Sequence, residues 1–342
     1  MEAIYDLEIP RIRKTIVEGN HTRILIQVPE GMLDYSLKQV LKEINNINKE
    51  FQVFVAGDPS YGVCDLATNV AKMLDCTLLI HFGHTTFGFE KIIQASLKNS
   101  GIHLLLIPAF VKINISSFLP NLLNKLAELN WKQVILVSTA QHLNIIALIE
   151  SFLISHGIEV QNRVERQILG CHVLNARKIK DKSVDGVISL NAGTFHTNGI
   201  ILTLNTPIIQ LDPYNGDLQY YSSEIRKQII HKRYAEIHQS RSAKTWGIIS
   251  SSKLGQFNLT KIKKIKEIIA ENSMDSLTII AEKIEFSTLS NITWVDAWVN
   301  TACPRLVFDD QNRVEKPMVS YKEFLYLYNQ LSWDKLLETG FF

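Results

Sequence analysis

The hydrophobic residues of this chain recur in one arrangement: a strand-sized run rich in β-branched residues, a polar turn, and a stretch whose apolar positions follow helical spacing. Three runs open such units, RILIQVP at 23–29, QVILVST at 133–139 and TWGIIS at 245–250. Helical stretches follow at 36–45, 144–156 and 259–271, then second strands at 52–56, 159–164 and 276–281. Further strands are predicted at 77–81 and 103–107, at 186–190, 201–204 and 208–211, and at 293–299, about four strands per unit. Strands alternating with helices of this length predict βαβ units and parallel sheets, because a parallel connection needs a long crossover. The reading is therefore α/β, with three small parallel-sheet domains over 1–115, 116–225 and 226–342. Their boundaries fall around 114–120 and in the helix-like 222–242, with no linker-like stretch between them.

Composition narrows the class. With 342 residues, 46% of them hydrophobic and 20% charged, the chain can fill real cores. Its longest apolar runs, CTLLI at 76–80 among them, are strand-sized and far short of a membrane span. The opening MEAIYDLEIPRIRKTIVEGN carries no apolar signal core, so a cytoplasmic location is expected, with no membrane partner. Lys and Arg number 36 against 34 Asp and Glu, and the basic cluster Lys261, Lys263, Lys264 and Lys266 alternates with Ile262, Ile265 and Ile268. That is the solvated side of an amphipathic helix, and nucleic-acid binding is not expected.

Four cysteines stand at 64, 76, 171 and 303, without CxxC spacing, so structural disulfides are not expected. Cys76 begins an apolar run and reads as a small buried hydrophobe. Cys64, Cys171 and Cys303 each follow a strand, one per unit, where ligands gather in open α/β sheets. Their loops, GDPSYGVCD at 57–65, LGCH at 169–172 and VNTACPR at 299–305, all set glycine or proline beside the thiol. Any one of them alone reads as an ordinary turn. One per unit suggests three thiolates at a common site, and three sulfurs around a four-iron cluster leave one iron open to a small molecule.

These residues carry a resemblance. GDPSYGVCDL at 57–66, GCH at 170–172 and VDAWVNTACPR at 295–305, with HFGHTTF at 81–87 and LDPY at 211–214, resemble the motifs of the archaeal diphthamide-synthesis family over essentially the whole chain. The resemblance implies three α/β domains in a triangular, pseudo-threefold arrangement around a central [4Fe-4S] cluster held by Cys64, Cys171 and Cys303, in a homodimer. It also implies a reaction: S-adenosylmethionine is held by the unique iron, and the reduced cluster splits the bond between its sulfur and the γ-carbon. The 3-amino-3-carboxypropyl group then passes to a histidine of translation elongation factor 2. The CxxxCxxC of ordinary radical S-adenosylmethionine enzymes is missing, as in this family, and no electron-donor motif is present, so an external donor is expected.

Other residues are candidates for the S-adenosylmethionine pocket. The stretch 250–256 follows a strand and precedes a helix, so its backbone, with Gly255 and the side chain of Gln256, can hold an anionic group; a plain helix cap reads equally well. Gly193 and Thr194 leave room for an adenosine, Tyr61 joins the pocket from the first cysteine loop, and Arg305 either clamps a carboxylate or forms a structural ion pair. His81 and His84 move protons, bind substrate or simply hydrogen-bond within their loop; Asp58 and Asp65 read as turn or helix caps. Two rival readings remain: a quinolinate-synthase-like cluster enzyme, similar in architecture, and a metal-free three-domain binding protein whose cysteines are incidental.

Overall fold

The structure is a computed structural model that describes residues 4–161, 165–173, 184–310 and 313–341. It contains three sheets. In the first, β1 (Arg23–Gln27), β2 (Gln52–Val55), β3 (Leu78–Phe82) and β4 (His103–Ile107) lie parallel in the order β2-β1-β3-β4. The second comprises β5 (Gln133–Ser138), β6 (Glu159–Val160), β7 (Gly186–Leu190), β8 (Ile208–Leu211) and β9 (Leu218–Tyr221), ordered β6-β5-β7-β8-β9. The third, also parallel, orders β10 (Thr245–Ser251), β11 (Asp275–Ala281), β12 (Ala297–Asn300) and β13 (Met318–Ser320) as β11-β10-β12-β13. In each sheet the opening strand lies second, so the strand order reverses beside it. That reversal is where the carboxyl ends of α/β strands leave a crevice.

The sheets fall into two compact units. One holds the first sheet and its helices through Asn114, together with Ala140–Ile145 and Lys253–Gly255; the other holds the second and third sheets. The first sheet is filled on both faces: Ile24, Ile26, Leu78 and Ile80 pack with Ile12, Val40 and Ile44, whereas Leu25 and Leu79 pack with Cys76 and Ile93. Such two-sided burial explains why these strands read as continuous apolar runs. In the second unit Trp246 and Ile248 pack with Ile265 and Phe324, while Ile249 and Trp298 face Leu289 and Met318. No helix among the described residues is long and apolar enough to cross a membrane.

Three strand expectations differ from the structure. Residues 201–204 close the helix Phe195–Ile201 and turn; Ile200, Ile201 and Leu204 are buried, and a short apolar run of that kind fits a helix end as well as a strand. The strand expected at 293–299 begins at Ala297, because the Asp296 carboxylate accepts the N–H groups of Lys244 and Thr245 at 2.9 and 2.8 Å and fixes the entry there. The antiparallel β9 and the short β13 were not predicted. Of the strand expected at 159–164, β6 occupies Glu159–Val160, and residues 162–164 lie outside the described residues.

Candidate iron–sulfur centre

Cys64 sits in the first unit on a single helical turn, Val63–Asp65, beyond the end of β2. The fully buried Asp65 carboxylate organises this loop. It accepts the N–H groups of Tyr61 at 3.1 Å and Gly62 at 3.3 Å, and pairs with Lys253 at 3.1 Å. The cap role read for Asp65 is thus present, with a cation added. Gly255 donates its N–H to the Cys64 carbonyl at 3.0 Å, and a Cβ on Gly255 would lie 2.6 Å from the Cys64 Cα, so only glycine permits the approach. Tyr61 is exposed, its ring 6.0 Å from the Lys253 ammonium.

Behind the loop lies a buried polar chain. Gln27, which ends β1, donates to the Asp65 carbonyl at 2.9 Å and accepts from Ala67 N–H at 3.1 Å. Its side-chain oxygen faces His81 Nδ1 at 2.8 Å, and His81 Nε2 meets His84 Nδ1 at 2.9 Å. Burial pushes both imidazoles below their ordinary range, the Asp65 carboxylate opposing it at His84.

Cys171 and Cys303 lie in the second unit. Leu169 and His172 pair across a tight turn whose corner is Gly170-Cys171, and this turn is docked on the carboxyl end of β5 through Ser138. The helix Phe195–Ile201 grips it. His196 Nδ1 accepts Gly170 N–H at 3.1 Å, and Phe195 occupies the space a Cβ on Gly170 would need. Cys303 follows β12, where Asn300 donates from its amide to the Cys303 carbonyl at 2.8 Å and accepts Ala302 N–H at 2.9 Å. Pro304 then opens the short helix Arg305–Phe308. Burial, and then the nearby Cys303 thiol, push the half-buried Cys171 thiol up to about 12. None of the four cysteines is in a disulfide, and Cys76 is buried in the first unit's core, as its apolar setting suggested.

Arg305 lies 5.1 Å over the Phe195 ring and pairs with Asp309 at 3.3 Å, the ion-pair arrangement weighed for it from sequence. Gly193 and Thr194 are exposed ahead of the Phe195 helix; the Gly193 carbonyl accepts from Asn191 at 3.1 Å and Gln210 at 2.8 Å, and Gln210 also accepts from Thr197 at 2.7 Å. Gln256 is half-buried in the turn before the helix Leu259–Glu271, whose first turn Asn258 caps by accepting Lys261 N–H at 3.0 Å. Sequence reasoning missed Gln27, His196 and Asp309, and it singled out the 250–256 stretch without the ion pair that Lys253 makes there. A glutamine closing an otherwise apolar strand was the one signal of them.

Soft sulfur donors in glycine- and proline-flanked turns suit iron. Cys171 and Cys303 are two such donors in one unit, with thiols near enough to influence each other. Among the described residues no group of three His, Cys, Asp or Glu side chains stands ready to hold a metal ion.

The family model for "diphthamide synthesis protein" matches residues 28–337. The chain belongs to the diphthamide synthesis family. Among its relatives, the 2-(3-amino-3-carboxypropyl)histidine synthase of Pyrococcus horikoshii is 28% identical, over 96% of this chain and 94% of that protein. Subunit 1 of the human synthase is 26% identical, over 99% of this chain and 75% of that one. The crystal structure of Pyrococcus horikoshii Dph2 with a 4Fe-4S cluster superposes with a TM-score of 0.80 at 25% identity, covering 98% of this chain and 93% of that one. Membership in the diphthamide synthesis family, rather than the architecture, separates this chain from the quinolinate-synthase-like reading.

Proposed function

We propose that this chain is a 2-(3-amino-3-carboxypropyl)histidine synthase that acts in the first step of diphthamide synthesis. What carries the reading is membership in a family whose similar Pyrococcus structure holds a 4Fe-4S cluster, with Cys171 and Cys303 both in post-strand turns of one unit. Cys64, Cys171 and Cys303 are the proposed ligands. The chemistry such a cluster supplies is one-electron cleavage of the sulfur–γ-carbon bond of S-adenosylmethionine, which releases the 3-amino-3-carboxypropyl group for transfer. The proposed acceptor is a histidine of translation elongation factor 2; a second copy of the chain and an external electron donor complete the system, in the cytoplasm.

The chain's own residues do the holding. Burial holds the proton on the Cys171 thiol, and a thiol must lose that proton to ligate iron, so loading would weaken as pH falls. Tyr61, Gly193, Thr194, Gly255, Gln256 and Arg305 are proposed to line the S-adenosylmethionine pocket. Of these, Gly255 spends its N–H on Cys64, so its part there is to leave space, while Arg305, steadied by Phe195 and Asp309, offers a guanidinium to the carboxylate.

The test is anaerobic purification, iron and sulfide analysis, then dithionite reduction with S-adenosylmethionine and the cognate elongation factor. About four irons per chain and one aminocarboxypropyl group gained on a factor histidine support the reading. A brown protein that leaves the factor unmodified removes the acceptor from it, and a colourless inactive one removes the cluster.

A further inference from the structure

The amide of Gln27 cannot be turned over. Its oxygen receives a backbone N–H, that of Ala67, and its nitrogen faces a backbone carbonyl, that of Asp65, so both ends are fixed by groups whose roles never change. That oxygen obliges His81 to carry its proton on Nδ1. His81, fully buried, therefore turns an accepting Nε2 toward His84 Nδ1, which donates. His84 in turn lies beside the Asp65 carboxylate, between backbone groups of Phe82 and Tyr61. The chain starts and finishes on the segment 61–67, which carries Cys64, and it anchors that segment to the ends of two neighbouring core strands, β1 and β3. A cysteine loop needs no histidine pair to stay folded; the Cys303 loop is tied down by Asn300 and by the Thr301 hydroxyl on the Ile249 carbonyl.

We propose that Gln27 and His81 are positioning residues for Cys64, setting the direction of its thiolate through a hydrogen-bond chain of fixed polarity. The inference rests on the reading of Cys64 as a cluster ligand and extends it to two residues that brace its loop. Supporting shells of this kind orient metal ligands elsewhere and tune the metal they hold.

Two measurements test it. In the metal-free chain, site-resolved iodoacetamide labelling read by peptide mass spectrometry should show Cys64 altered several-fold in rate by Gln27→Met and by His81→Phe, with Cys171, Cys303 and Cys76 unchanged. In the anaerobically loaded protein, the same variants should lose iron to a chelator several-fold faster and shift the electron paramagnetic resonance spectrum of the reduced cluster, and His81→Gln, which keeps a donor toward Gln27, should recover part of both. Unchanged Cys64 labelling in folded variants overturns the proposal. Should Gln27→Met not fold, the His81→Gln and His81→Phe pair decides it alone. If the unaltered chain holds no cluster, the functional reading fails, while the labelling still decides whether Gln27 and His81 direct Cys64.

Discussion

Gly199 lies so close to the Gly170 carbonyl that a Cβ on it would stand 2.2 Å from that oxygen. The two glycines let the helix Phe195–Ile201 press directly on the turn that presents Cys171, and the same helix offers Phe195 to Arg305, two residues past Cys303. The nearness of two cysteines 132 residues apart in sequence thus depends on one seven-residue helix.

Gly199→Ala should therefore displace the Cys171 turn. Alanine is worth up to about 1 kcal/mol as a helix former, but a backbone clash in a packed site costs roughly 1–3 kcal/mol, so the clash wins. The variant is expected to melt lower and retain less iron after anaerobic reconstitution. Gly57→Ala, where nothing lies within 4 Å of the added carbon, serves as the neutral comparison.

The cysteines should separate by role. Cys64→Ala, Cys171→Ala and Cys303→Ala are each expected to lose the iron that the unaltered chain holds, whereas Cys76→Ala should keep its iron and lose roughly 1 kcal/mol of stability from its packed site. Iron and sulfide content of the four purified variants is the measurement. Equal iron in all four would return Cys64, Cys171 and Cys303 to ordinary turns.

Much of this was legible in the chain and some was not, for physical reasons. The helix Leu259–Glu271 matches its expected bounds because Lys and Ile alternate at helical spacing over the whole length. The strands that open each sheet announce themselves because they are buried on both faces. β13 is three residues long, and the four-residue β9 alternates only weakly, too little pattern to rise above the surrounding loops. The support of the cysteine loops was hidden for a different reason: Gln27 meets Asp65 across 38 positions and Lys253 meets it across 188, and no local spacing encodes such contacts.

In the helix Tyr321–Leu327 that follows β13, Glu323 is fully buried and accepts both Nε and Nη2 of Arg233 at 2.5 Å, along with the Ser320 N–H at 2.6 Å. Arg233 also reaches the Met318 carbonyl at 2.9 Å, so the pair ties the helix Ser223–Gln239 to β13. Glu323→Ala leaves that guanidinium buried without its main counter-charge and removes a helix cap. A loss of about 3–5 kcal/mol is expected, read as a lower urea midpoint with the iron content of surviving folded protein unchanged. A loss under 1 kcal/mol would mean that water reaches Arg233.

His142 supplies a pH test. Burial pushes this imidazole down to about 4, and it is 4% exposed. Its folded pKa lies below the value near 6.5 of an unfolded histidine, so between those limits the unfolded chain binds the extra proton and stability rises with pH. The contribution is complete above about pH 6.5 and disappears as pH falls toward 4, up to roughly 3 kcal/mol at 1.36 kcal/mol per unit. His142→Phe should therefore show a smaller drop in urea midpoint from pH 7 to pH 5 than the unaltered chain. His81 and His84 of the same unit are shifted the same way and stay in both proteins, so the difference between the two drops isolates His142. Equal drops would mean that His142 takes up its proton in the folded state near the ordinary pH.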